Sequence, residues 1–109
     1  MKFNPFDVVV VPFPFSDSPQ RKKRPAVVIS SSYNSNHIIL LMITSALHYK
    51  LQLDIHITDI KKAGLPKECI MRMKLFTIDT RLIQKQIGTL GEVDSTLLKK
   101  NLKKIIPYL

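Results

Sequence analysis

Apolar residues fall in short blocks separated by polar turns, and the period within each block sets the element it predicts. Asp7 is followed by Val8-Val9-Val10-Val11, and four β-branched residues in a row predict a strand covered on both faces. Pro12 and Pro14 end regular pairing, because proline has no N–H to give to a ladder. Ser16–Arg24 is polar and basic and reads as a mobile loop. Pro25-Ala26-Val27-Val28-Ile29-Ser30 restarts a strand, Ser31–Asn36 is a polar turn, and Ile38–Thr44 is a third strand, apolar on both sides.

From Leu53 the pattern changes to alternation. Leu53, Ile55 and Ile57 point inward while Asp54, His56 and Thr58 point outward, as in a strand with one wet face. Asp59–Pro66 suits a single helical turn, capped by Thr58 or Asp59 and closed by Gly64 in the left-handed conformation. Glu68–Leu75 alternates again, with Cys69, Met71, Met73 and Leu75 on one face and Ile70, Arg72 and Lys74 on the other. Thr77–Leu90 holds two short extended pieces. Asp94 then caps a helix, Ser95–Ile106, whose stripe is Leu98, Leu102, Ile105 and Ile106; Pro107 stops it. The predicted class is mainly β (α+β): a small, strongly bent sheet or barrel with short helices and a C-terminal α-helix.

At 109 residues the chain is expected to form one domain. Seventeen Lys and Arg against eight Asp and Glu give a net charge of +9, which favours a polyanionic partner. The charge identifies a class of partner and no reaction. Cys69 is the lone cysteine, so no intrachain disulfide forms and a reducing compartment fits. Met1–Pro5 lacks the layout of a signal peptide, and no apolar run reaches the ~18 residues of a bilayer span. A cytoplasmic protein without membrane contact is expected.

Several chemistries lack their residues. His37, His48 and His56 are scattered, with no CxxC, HExxH or carboxylate cluster, so no metal and no cofactor is expected. GxSxG is absent, and three glycines make no phosphate-cradling loop. Cys69 falls on an apolar strand face and reads as packing rather than as a nucleophile. What remains is the basic run Arg21-Lys22-Lys23-Arg24, ending at Pro25. Proline biases Arg24 towards extended backbone, fixing where its side chain departs, and a planar guanidinium suits two oxygens of one phosphate. Thr44 and Ser45 close the third strand and become a second phosphate contact if Arg24 lies near. Alone, the basic run equally fits a solvated cluster and the hydroxyls equally fit a local turn.

At these residues the sequence resembles the MazF/PemK family of toxin–antitoxin ribonucleases. The resemblance rests on Asp7–Val11, a polar loop, Arg24–Ser30, Ile43-Thr44-Ser45, Thr77-Ile78-Asp79, Gly88-Thr89-Leu90 and the last helix, in that order. It implies an SH3-like barrel, dimeric, cutting single-stranded RNA without metal. It also implies a cognate antitoxin that lays an acidic segment across the RNA groove. By position, Arg24 matches the family's catalytic arginine and Thr44 its catalytic threonine, with Ser45 a neighbour in the same site. Ser18, Gln20, Arg21, Lys22 and Lys23 are the candidate RNA contacts of the first loop; Arg72 and Lys74 project together from a strand as further candidates.

Some PemK-like members use a first-loop histidine and a later Arg–Asp pair. Ser16–Lys23 contains no histidine, and Lys74 stands near the place of that carboxylate, while Arg72 is a candidate for the arginine. The proton acceptor is thus left open. Asp79 reads as a turn former, and His48 and His56 as surface histidines. Two rival functions share these features: a non-catalytic CcdB-like toxin that binds DNA gyrase, and a basic nucleic-acid-binding barrel. The Arg24–Thr44 pair favours the nuclease, because a binding-only protein has no need of it. Phe13, Phe15 and Tyr33 are the aromatics suited to stacking on RNA.

Overall fold

A computed structural model describes residues 2–12 and 23–109 of the chain. Phe13, Phe15 and the first-loop candidates Ser18, Gln20, Arg21 and Lys22 lie outside the described residues. The elements run β1 (Asp7–Pro12), β2 (Lys23–Val28), β3 (His37–Thr44), β4 (Ile55–His56), β5 (Ile70–Asp79), a 3-10 turn (Thr80–Leu82), β6 (Lys85–Thr89) and α1 (Glu92–Ile105). The six strands form one antiparallel sheet in the order β4-β5-β3-β2-β1-β6. Lys23 and Arg24, expected in the loop, already belong to β2 and face Pro12 and Val11 of β1.

Strand alternation sorts the apolar side chains into two cores. Val8, Val27, Leu41, Ile43, Cys69 and Met71 meet Leu98 and Leu102 of α1 on one face. Val9, Val11, Ala26, Val28, Ile38, Leu40, Phe76 and Ile78 pack on the other. This is why the β1 and β3 segments are apolar at both parities: each is buried on both sides.

The sheet curls into a half-barrel. Its edge strands do not pair, yet the turn after β4 reaches β6: the Thr89 N–H donates to the Lys62 carbonyl at 3.1 Å. That approach needs two glycines. A Cβ on Gly88 would overlap the backbone of Ala63 and Lys62, and Gly64, at φ +75°, lies against the Ile87 carbonyl. The turn itself matches expectation, with the Asp59 carboxylate accepting from the Lys62 N–H at 3.0 Å.

Three expectations are corrected. The alternating segment Leu53–Thr58 forms strand only at Ile55–His56, because Leu53 takes φ +72° and turns the chain. Ile55 and Ile57 are buried as expected, but Asp54 is buried too rather than outward. Asp94 is not the helix cap. Gly91 occupies that place and α1 starts at Glu92, which puts Asp94 inside the first turn. There its buried carboxylate accepts from the Thr58 N–H (2.9 Å), the Thr58 hydroxyl (2.9 Å) and the Asp59 N–H (3.1 Å). A helix-start carboxylate thus ties α1 to the segment after β4 instead of to its own backbone. Finally, Leu98 and Leu102 are core, but Ile105 is exposed and Ile106 lies beyond the helix.

Candidate functional site

β2 and β3 pair at Ala26↔Met42, Val27↔Leu41 and Val28↔Leu40. Counting two residues beyond Ala26 and Met42 brings Arg24 opposite Thr44, on the sheet face of Ala26. Pro25, with no N–H to donate, stands where this ladder stops. The strand ends separate there around a cleft of about 310 Å³, lined by Lys23, Arg24, Thr44, Ser45, Lys67 and Cys69 together with apolar side chains. Among the described residues its lining carries three cations, Lys23, Arg24 and Lys67, and no carboxylate. An anion entering this cleft meets positive charge from both walls.

The Thr44 side chain is buried, and its Oγ1 accepts from the Ala46 N–H at 3.1 Å. That bond occupies a lone pair and fixes the hydroxyl, leaving its proton for an acceptor. Ser45, next in the chain, is exposed at the cleft. Cys69 is buried, as expected of a packing residue. Burial pushes its thiol up from the ordinary value, and nearby Lys67 offsets this only in part. Its Sγ–H donates to the Lys67 carbonyl at 3.4 Å. A thiol held protonated is a poor nucleophile.

Arg72 keeps the face expected for it but does not project outward with Lys74: it is buried. β5 carries two extra residues opposite Leu41–Ile43, yet parity survives, so Arg72 keeps the face of Ile70, the residue paired with Thr44. The loop between β3 and β4 covers it. Its Nη2 meets the Asp54 carboxylate at 2.9 Å and its Nε donates at 3.2 Å; further bonds of 3.4 Å reach the Tyr49 hydroxyl and carbonyl. Burial pushes the Asp54 carboxyl up. Hydrogen bonds from Arg72 and the Leu51 N–H, with the charges of Arg72 and Lys50, outweigh it and leave Asp54 below its usual range. Its hydrogen bond to Asp54 raises Arg72 in turn, against the cost of burial. Lys74, two residues on, is exposed as expected.

The remaining candidates behave structurally. Asp79 caps the 3-10 turn through the Arg81 N–H at 2.9 Å, and the Arg81 guanidinium holds its carboxyl down to about 2. His56 lies 3.8 Å from Glu68, and His48 meets Tyr49 edge-on. Among the described residues no three His, Cys, Asp or Glu side chains gather as a metal site would need. Lys67 and Tyr49 of this region escaped the sequence reading, and Asp54 was read as outward-pointing. Only Asp54 carried a signal, as a carboxylate at an inward-leaning strand start, and alternation assigned it to solvent.

Fold and site together define a small cationic protein built on a curled antiparallel sheet, with a basic cleft where two central strands part. The sequence model of the PemK-like, MazF-like toxins of type II toxin–antitoxin systems matches residues 4–106, and the chain belongs to that family. No curated protein matches the chain. Membership makes it a toxin whose natural counterpart is a protein antitoxin. Among the described residues no helix is long and apolar enough to cross a membrane.

Proposed function

We propose that this toxin is an endoribonuclease that cuts single-stranded RNA by attack of the substrate's own 2′-OH, needing no metal. The observation that carries this reading is the cleft in which Arg24 and Thr44 stand together among cations. RNA supplies the nucleophile, so the protein must align it with the leaving 5′-oxygen, move protons and stabilise the phosphorane charge. Arg24 neutralises that charge and Thr44 donates a hydrogen bond from its hydroxyl to a non-bridging oxygen; Ser45 sits beside them as a second hydroxyl. Lys23 and Lys67 hold flanking phosphates, and Lys74 extends the basic track. Ser18, Gln20, Arg21 and Lys22 remain the proposed base contacts of the first loop. Arg72 is reassigned from direct RNA contact to support, since Tyr49 and Asp54 cover it.

A duplex holds the backbone away from in-line geometry, so single strands are the substrate, with sequence choice set by splayed bases. The cationic cleft also suits an acidic antitoxin segment, and the active form is a homodimer in the cytoplasm. The test is incubation with mixed RNA in EDTA, followed by sequencing of the new ends. Persistent cuts bearing 2′,3′-cyclic phosphate and 5′-hydroxyl ends support the reading; intact RNA, or cuts that vanish in EDTA, refute it.

A further inference from the structure

The loop leaving Thr44 and Ser45 carries an aromatic pair that the cleavage chemistry does not use. Tyr49 is 52% exposed, although the Arg72 guanidinium lies over its ring, 4.9 Å from the centroid. His48 buttresses the ring edge-on, with centroids 4.9 Å apart. We propose that Tyr49, propped from beneath by Arg72, is a stacking platform for a nucleobase next to the scissile phosphate. The inference rests on RNA being the substrate.

Three observations carry it. The platform is rigid, because Arg72 is clamped by Asp54 and donates to the Tyr49 carbonyl at 3.4 Å. Asp54 in turn accepts from the Leu51 N–H at 2.8 Å, and Asn101 of α1 donates to the Leu53 carbonyl at 3.0 Å. A pre-ordered aromatic loses little freedom when a base settles on it. The platform also faces the right way: Ile70 pairs with Thr44, and Arg72, two residues along β5, shares that face. Tyr49 stands five positions after Thr44, a span of at most ~18 Å, within reach of the nucleotides adjoining the cleft. Finally, the cation beneath the ring polarises it, and any base can lie on the opposite side.

The test separates binding from cutting. Fully 2′-O-methylated single-stranded decamers lack the nucleophile and cannot be cleaved, so fluorescence anisotropy reads affinity alone. Tyr49→Ala is expected to weaken binding on the order of tenfold without changing its salt dependence, because stacking releases no counterions. Tyr49→Phe, which keeps the ring, is expected to bind as the parent does. An abasic site walked along the decamer should weaken the parent at one position and leave Tyr49→Ala indifferent there. Parent-like binding by Tyr49→Ala, an equal loss in Tyr49→Phe, or no binding by the parent overturns the platform. Unmodified RNA is assayed alongside. Tyr49-dependent binding without cleavage refutes the ribonuclease reading and leaves the platform standing; cleavage and binding indifferent to Tyr49→Ala refute the platform alone.

Discussion

Arg24 and Thr44 flank one cleft from two neighbouring strands, two residues past the last Ala26↔Met42 pair. They stand twenty positions apart in the sequence, and the antiparallel register of β2 and β3 closes that gap. Pro25 fixes where the arginine side chain departs from the backbone, and the Ala46 N–H anchors the threonine hydroxyl. Pre-positioning of this kind is what electrostatic stabilisation of a phosphorane requires.

The threonine hydroxyl is therefore expected to matter as a donor. Thr44→Val should lower kcat by about 10²–10³, while Thr44→Ser should retain most activity. Steady-state cleavage of a fluorogenic single-stranded oligonucleotide measures both; equal rates for Thr44→Val and the parent would remove Thr44 from the chemistry.

The Arg72–Asp54 pair should dominate the stability of the loop between β3 and β4. Both side chains are nearly inaccessible, at 10% and 0% exposure, so Asp54→Ala strands a buried cation and should cost about 3–5 kcal/mol. Because the folded carboxyl titrates below its ordinary 3.8, the pair's contribution is complete above that value and is lost as pH falls through the lowered one. Thermal melts of the parent and Asp54→Ala should consequently converge in acid. A difference that stays constant down to strongly acidic pH contradicts the assignment.

Closure of the curled sheet depends on Gly88. An alanine there drives its Cβ into the backbone of Ala63 and Lys62, which no side-chain rotation relieves. Gly88→Ala should destabilise the fold by at least ~1–3 kcal/mol, seen as a drop in Tm, with loss of amide protection at Thr89. An unchanged Tm would mean that the turn after β4 does not seat on β6.

Cys69 lines the cleft yet should be inert. Burial raises its thiol, so iodoacetamide at neutral pH should label the native protein far more slowly than the urea-unfolded chain. Cys69→Ser should leave cleavage intact; a loss of activity there, with the fold preserved, would bring the thiol into the mechanism.

Much of this architecture was legible in the sequence because period and chain chemistry agreed. The valine run of β1 and the doubly apolar β3 announced strands buried on both sides, the Cys69–Leu75 alternation assigned one face of β5, and Arg24-Pro25 and Thr44-Ser45 both line the cleft. What stayed hidden depends on partners distant in sequence. Asp54 and Asp94 looked like a solvent-facing strand residue and a helix cap, since nothing local announces Arg72, or the Thr58 and Asp59 donors, as their partners. Arg72 was placed on the correct face but not beneath Tyr49, because a covering loop has no periodicity to read. Lys67 joins the cleft only through the fold of the 59–66 turn.

The account is tested most directly by cleavage of one single-stranded RNA by the parent and by Arg24→Ala, with circular dichroism recorded on both. The expected result is 5′-hydroxyl ends from the parent in EDTA, and a rate at least ~10² lower from a variant with the parent's spectrum and Tm. An Arg24→Ala protein that cuts at the parent's rate and positions contradicts it.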